Sequence, residues 1–276
     1  MTDGSTVVDK PAGWTSHDVV AKCRGIFGQK RVGHAGTLDP DATGVLLVGL
    51  GRVTRLLRFL SALPKSYECE VVLGIETRTL DASGEVTAEH DMSAVSPADV
   101  RIAAARFVGE LEQVPPMVSA VKVGGRRLHA LARQGVEVER AARRVTVTRF
   151  DVTTTGEPGI FRAQVDCSSG TYVRSLVADL GAALGGGAHL RNLRRLAVGS
   201  FTAAHARPLD ALEVLSPAAT MRDYPSVVVD ADTATRVAHG RPVDLGRADA
   251  CAVVDESGAL LAMYENGRPA VVVAPR

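Results

Sequence analysis

Asp39 is the residue whose type and setting most invite chemistry. It lies in GHAGTLDPDATGVL, residues 33–46, which holds three glycines, one proline and two aspartates within twelve positions. Glycine and proline at this density mark an irregular loop with special backbone angles. Pro40 pushes Asp39 out of the helical region toward an extended backbone. The apolar run Val45-Leu46-Leu47-Val48 follows at once and reads as a buried strand that would hold the loop stiffly. A carboxylate presented from such a loop is placed where catalytic groups are commonly found. The same residues are also ordinary turn chemistry, because Asp side chains often bond their own backbone. The pattern alone leaves both readings open.

The elements around it can be read in order. Residues 7–14, VVDKPAGW, give a short strand and a Lys-Pro-x-Gly turn carrying Lys10. Ser16 can cap a helix whose apolar face is Val19, Val20, Cys23, Ile26 and Phe27, stopped by Gly28. A strand over 45–50 and a helix near 53–60 follow the loop, with Arg52, Arg55 and Arg58 on the polar side of that helix. KSYECEVVLG, residues 65–74, alternates as a strand should, and Tyr67 reads locally as a core aromatic. Ser96-Pro97-Ala98-Asp99 starts a helix that runs to about 107. A strand over 161–167 enters CSSGTYVRSL, where Arg174 reads locally as a helix-surface arginine and Ser168-Ser169-Gly170 as a capping turn. Leu176, Val177, Leu180, Ala183 and Leu184 form the inner face of the next helix. Pro208, Pro217 and Pro225 mark a break. Beyond it come a strand over 226–230, a short helix over 233–238, a hairpin over 253–261 and a last strand over 269–274.

The 276 residues, 46% hydrophobic and 23% charged, have the composition of a soluble globular protein of one large domain, or one large and one small. No run approaches the eighteen apolar residues of a membrane helix, and MTDGSTVVDKPAGW carries no secretion signal pattern. The expectation is a cytoplasmic protein with no membrane association. Cys23, Cys69, Cys167 and Cys251 lie far apart and form no CxxC. That spacing implies reduced thiols, no disulfide framework and no metal site. Gly49-x-Gly51 is too weak for a phosphate loop. Net charge is only +1, but its distribution is uneven. Residues 121–150 hold Lys122, Arg126, Arg127, Arg133, Arg140, Arg143, Arg144 and Arg149 against Glu137 and Glu139 alone. One strongly basic segment on a mildly acidic body is the footprint of a polyanion-docking surface, or else a solvated charged face. From Arg222 onward six arginines face eight acids, so the C-terminal part is a poor main anchor for nucleic acid.

GHAGTLDPDATGVLLVGLGRVTRL closely resembles the signature loop of the bacterial tRNA pseudouridine-55 synthases, the TruB family. VVDKPAGW, KSYECEVVLG, CSSGTYVRSLVADLG and HLRNLRRL resemble its other motifs, so the likeness covers nearly the whole chain and weakens after about 220. The resemblance implies that Asp39 is the catalytic aspartate, that Arg174 pairs with it, and that Tyr67 stacks on the flipped uracil and takes part in proton removal. It further implies that Tyr172 lines the site, that Leu193 packs under the base, that His34 packs into the folded T loop, and that Lys10 lies near the RNA. TRTLDASGEVT, residues 77–87, resembles a loop and hairpin and reads as structural. Residues 121–147 resemble an insertion that grips the tRNA arm like a thumb, including Arg143 and Arg144, with a short helix over 126–134.

The implied fold is α+β: a pseudouridine-synthase domain over 1–212 with a mixed, mainly antiparallel central sheet, a thumb over about 122–150, and a small β-rich PUA-like domain over 222–276. The implied activity isomerises uridine-55 in the T loop of tRNA, without cofactor or metal, as a monomer with no obligatory protein partner. A non-catalytic RNA-binding or tRNA-folding chaperone is the rival. It would keep the basic thumb but would not need Asp39, Tyr67 and Arg174 together. A synthase of the RNA-guided type, which carries additional segments and works with partner proteins, fits a chain with its own thumb less well.

Overall fold

The structure is a computed structural model that describes residues 2–117, 122–123, 126–127 and 138–274. In chain order the strands are β1 (Gly4–Lys10), β2 (Val32–Ala35), β3 (Thr43–Leu50), β4 (Lys65–Leu73), β5 (Ile75–Thr77), β6 (Val86–Glu89), β7 (Gly109–Gln113), β8 (Lys122–Val123), β9 (Arg126–Arg127), β10 (Arg143–Thr154), β11 (Ile160–Cys167), β12 (Ala188–Val198), β13 (Phe201–Thr202), β14 (Ser226–Val229), β15 (Cys251–Asp255), β16 (Leu260–Glu265) and β17 (Arg268–Val272). The fold is α+β, as the sequence implied, and the chain forms two compact units.

The first unit comprises residues 1–40, 44–63 and 198–276. Its centre is β3, which pairs antiparallel with β1 on one edge and β2 on the other, Leu50 meeting both Gly4 and Val32. Val45 through Val48 and Leu50 are fully buried, because both faces of the strand are covered. Val45 and Leu47 face a core that contains Val53, Leu56, Phe59 and Leu60, together with Met263, Val271 and Val273 from the C-terminal strands. Leu46, Val48 and Leu50 face Val19, Val20 and Cys23 of the helix Ser16–Ile26. The region expected as a helix near 53–60 starts as a 3-10 turn, Gly51–Leu56, and continues as the helix Leu57–Ala62.

The C-terminal sheet runs β14-β15-β16-β17, parallel between β14 and β15 and antiparallel elsewhere. Helix Ala231–Ala238 buries Val237 in its core. A boundary near 212–222 was expected from the sequence. Within the first unit, residues from Val7 to Val273 share one apolar core.

The second unit comprises residues 41–43 and 64–197. Its sheet has the order β12-β4-β11-β10-β7, and the β4–β11, β11–β10 and β10–β7 ladders are antiparallel. Helix Pro97–Ala105 packs on β10 and touches the helix Val173–Ala183. A capping box of Ser96 and Asp99 starts the first of these helices, as its Ser-Pro-x-Asp pattern requires. Arg126 and Arg127 pair with β8 as a strand, which corrects the helix expected there; 128–134 and the rest of the thumb up to 137 lie outside the described residues.

Candidate active site

Asp39 is half-buried, and both of its chain neighbours are pinned. The Ser16 hydroxyl accepts from the Leu38 backbone N–H at 2.9 Å and donates to the Leu38 carbonyl at 3.2 Å. On the other side the Pro40 carbonyl accepts from Lys10 Nζ at 2.8 Å and from the Gly13 N–H at 3.0 Å. Lys10 also donates to the carbonyls of Pro11 and Trp14. The loop closes where Lys10 of β1 meets Gly44 of β3, a glycine at φ 98° that an L side chain would strain. The backbone on either side of the carboxylate is therefore fixed by side chains from the first strand and the first helix.

One expectation needs correction. Ser16 is not the helix cap. Thr15 takes that place, its hydroxyl accepting from Asp18 N–H while the Asp18 carboxylate reaches back to Thr15, and Ser16 is released to clamp the loop. Lys10 is fully buried and its ammonium donates to three carbonyls, so it helps to position the loop. His34, half-buried on β2 opposite Val48, packs edge-to-face on His17 with ring centroids 5.3 Å apart.

Tyr67 belongs to the second unit. It is buried in β4 opposite Val165, and Lys65 shares its face two residues earlier, opposite Cys167. Burial, reinforced by the nearby charge of Arg195, pushes the Lys65 ammonium down to about 8. Arg195 itself is fully buried in β12.

Arg174 is 4% exposed in the first turn of the helix Val173–Ala183, so it is not a surface arginine. Its guanidinium donates to the Thr79 carbonyl at 2.8 Å and lies 3.4 Å from the Asp81 carboxylate. Asp81 is itself held by the Thr79 hydroxyl at 2.6 Å and by the Ser83 hydroxyl and N–H at 2.6 and 3.1 Å. Leu80 between them sits at φ 63°, a costly conformation for a leucine. The loop at 77–84 thus presents an anion to the arginine. The sequence marks this segment as structural, and its local sign of the anion is the Asp-x-Ser-Gly turn at 81–84.

Tyr172 caps the same helix. Its backbone N–H and carbonyl are both held by the side-chain amide of Gln113, at 2.7 and 3.0 Å. Gln113 is buried at the end of β7 and was not foreseen, since no local pattern marks it. Leu193 is half-buried on β12, and neighbouring Arg194 donates to the Thr43 hydroxyl at 3.3 Å. Arg191 is bound to Glu70, which also accepts from Asn192 at 2.7 Å. Arg143 and Arg144 are exposed at the start of β10. Their ladder partners on β7 are Gln113 and Glu112, and Glu110 lies 3.9 Å from Arg144, so acids outside residues 121–150 temper the basic segment.

Asp39, Lys10 and His34 therefore stand in the first unit, and Tyr67, Arg174, Tyr172, Leu193, Arg143 and Arg144 in the second. Among the described residues no cluster of His, Cys, Asp and Glu could hold a metal. Burial pushes the thiols of Cys23 and Cys167 up to about 11 and that of Cys69 to about 12, so none is a ready nucleophile. No helix among the described residues is long and apolar enough to cross a membrane.

With this geometry in view, comparisons with known proteins are specific. Residues 24–173 match the model of the TruB family pseudouridylate synthase N-terminal domain, and 174–228 match that of the tRNA pseudouridylate synthase B C-terminal domain. The chain is 47% identical to tRNA pseudouridine synthase B of Rhodococcus jostii (strain RHA1), over 99% of this chain and 94% of that protein. It is 45% identical to tRNA pseudouridine synthase B of Thermobifida fusca (strain YX), over 99% of each. Among solved structures, a chain of the Cbf5-Nop10-Gar1 complex superposes with a TM-score of 0.74 at 26% identity, over 99% of this chain and 84% of that one. A chain of an H/ACA RNP bound to a substrate RNA containing 2'-deoxyuridine shares the fold, with a TM-score of 0.74 at 23% identity, over 99% of this chain and 86% of that one.

Proposed function

The chain belongs to the TruB family of pseudouridylate synthases, and from that premise we propose that it isomerises uridine-55 in the T loop of tRNA to pseudouridine, with Asp39 as the nucleophile on a flipped-out base. The reaction breaks the N1–C1′ bond, turns the base and joins C5 to C1′; the proton leaving C5 is balanced by one gained at N1. Nothing is oxidised and no water is consumed, so the chemistry calls for neither metal nor cofactor. The carboxylate adds to C6 of the base or to C1′ of the ribose, and either route needs it ionised and already aimed.

The observation that carries this reading is the clamp on both neighbours of Asp39, by Ser16 at Leu38 and by Lys10 and Gly13 at Pro40. A preset group costs no reorganisation at the moment of reaction. Arg174 is proposed to pair with Asp39 and keep it ionised; its contacts with Thr79 and Asp81 hold the guanidinium for that task. Tyr67 supplies the flat face on which an unstacked uracil rests and takes part in proton removal, the general strategy of enzymes that act on a base. Tyr172 lines the pocket and Leu193 supports the base. His34 meets the T loop, and Arg143 and Arg144 grip phosphates. The enzyme acts as a monomer in the cytoplasm, with no obligatory protein partner.

Incubating the protein with an unmodified T-arm transcript and mapping pseudouridine by chemical labelling tests the proposal. Product confined to the T-loop uridine is the expected result. Tight binding with no product at any enzyme excess would favour an RNA chaperone instead.

A further inference from the structure

A cleft of about 890 Å³ lies within the first unit, lined by Arg31, Arg52, Arg55, Ala238, His239, Gly240, Val272 and Ala274. None of these residues is acidic, and none has a role in the isomerisation proposed above. Their placement is built rather than incidental. Gly51 at φ 57° turns the chain between β3 and the 3-10 turn, and its N–H bonds the Arg31 carbonyl at 2.8 Å. A Cβ at Gly51 would meet the Asp3 carboxylate at 2.2 Å, so the glycine admits that carboxylate. Asp3 then accepts from Arg52 N–H at 2.6 Å and from Arg52 Nε at 2.8 Å. Arg52 gives a further donor to Val273 O, just past the last strand (2.7 Å), and Arg55 donates to Val272 O at the end of that strand (2.6 Å).

A guanidinium carries five N–H donors, so both arginines keep donors beyond these bonds. Three guanidinium groups against one carboxylate leave the wall with a formal charge of +2. On the opposite wall His239 donates through Nδ1 to the Thr235 carbonyl at 2.7 Å, which sets its tautomer. The carbonyl end of the helix Ala231–Ala238 is also capped there, by the N–H groups of His239, Gly240 and Arg241. It therefore opposes an anion less than a bare helix C-terminus would. Ala238, Val272 and Ala274 add an apolar floor beside the cations.

We infer that this cleft is a second, non-catalytic anion site that takes a phosphate group of a nucleotide: three arginines, one of them fixed by Asp3, converge on a cavity with an apolar floor wide enough for a ribose or base. Arginine is the side chain suited to phosphate geometry, and the volume falls in the range of small-ligand sites. The phosphate can belong to the RNA whose binding is proposed above or to a free nucleotide, and the first case rests on that proposal.

The test uses the full chain and the double variant Arg31→Ala, Arg55→Ala, with Arg52 left in place because Asp3 holds it. Circular dichroism and melting establish that the variant is folded; Arg31→Ala alone, a loop change, is the fallback. Affinity for tRNA is measured across a salt series, and inorganic phosphate and AMP are titrated separately. For an RNA phosphate, the variant binds tRNA about five- to tenfold more weakly at moderate salt. Its log–log salt slope is flatter by about one to two, the amount expected for one or two lost phosphate contacts. Pseudouridine yield at saturating enzyme does not change. Arg31→Lys with Arg55→Lys recovers most of the slope. For a free nucleotide, phosphate and AMP binding are lost while tRNA affinity holds. Wild-type behaviour of the double alanine variant in both arms overturns the inference. A wild-type protein that makes no pseudouridine, yet shows either arm's difference, overturns only the functional reading.

Discussion

Single side chains hold the Asp39 loop in place. Lys10 is buried with three carbonyls as partners, so Lys10→Met removes a donor from each and leaves Pro40 O with the Gly13 N–H alone. We expect a stability loss of about 1–3 kcal/mol, read as a lowered melting temperature, and a fall in turnover with RNA affinity nearly kept. Unchanged turnover would mean that the clamp at Pro40 does not matter to Asp39. Arg174→Lys keeps the charge but not the planar fork that reaches Thr79 O and Asp81. Turnover should drop by an order of magnitude or more at nearly constant affinity; near-normal rates would remove the arginine from the mechanism.

Lys65 predicts a pH signature. Burial holds its folded pKa near 8 against an ordinary value of 10.5, so between these values the unfolded chain binds more protons. Stability contributed by this group therefore rises with pH from about 8 to 10.5. The buried cysteines oppose it above about 9, because their folded pKa values are raised. The difference in stability between wild type and Lys65→Met isolates the lysine. It should move in favour of wild type as pH rises through that window, and a flat difference would contradict the assignment.

At the scale of elements, β10 and its neighbour β7 decide how basic the proposed docking surface is. Counting charges along residues 121–150 gives a strongly positive segment, but β7 places Glu110 and Glu112 beside Arg144. Arg143→Ala with Arg144→Ala should still weaken RNA binding several-fold and flatten its salt dependence by one to two contacts. The effect should be smaller than a bare count of eight cations suggests. An unchanged slope in filter binding would count against this face.

The helix Ser16–Ile26 carries a similar lesson. Thr15 and Ser16 are both capping types, and sequence proximity does not say which one caps. The capping box with Asp18 selects Thr15, and Ser16 then turns to Leu38. Contacts of this kind, like Gln113 holding Tyr172, join residues far apart in the chain and leave no periodic trace. Strands β1, β3, β4 and β11 and the helices Ser16–Ile26, Pro97–Ala105 and Val173–Ala183 were legible because alternation, caps and proline positions are local, whereas β2, β7, β10 and β12 carry no such local mark. The Asp39 loop was legible too, because its glycines and proline dictate backbone angles.

For the whole molecule, the α+β class and the family were legible in the sequence, and the clustered prolines mark a break near 212–222. The packing of Val7 with Met263 and Val273 in one apolar core was not legible, because the pairing is non-local. The likeness to tRNA pseudouridine synthase B over nearly the full length ties this architecture to isomerase chemistry. What remains most exposed to test is the role of Asp39. Asn nearly matches its shape and can make the same turn, but lacks the anionic charge. One preparation of Asp39→Asn, compared with wild type on an unmodified T-arm RNA in single-turnover reactions with excess enzyme, settles it. We predict a melting temperature and RNA affinity close to wild type and no pseudouridine. Appreciable product from a sequence-verified Asn variant would contradict the mechanism and the site assignment together.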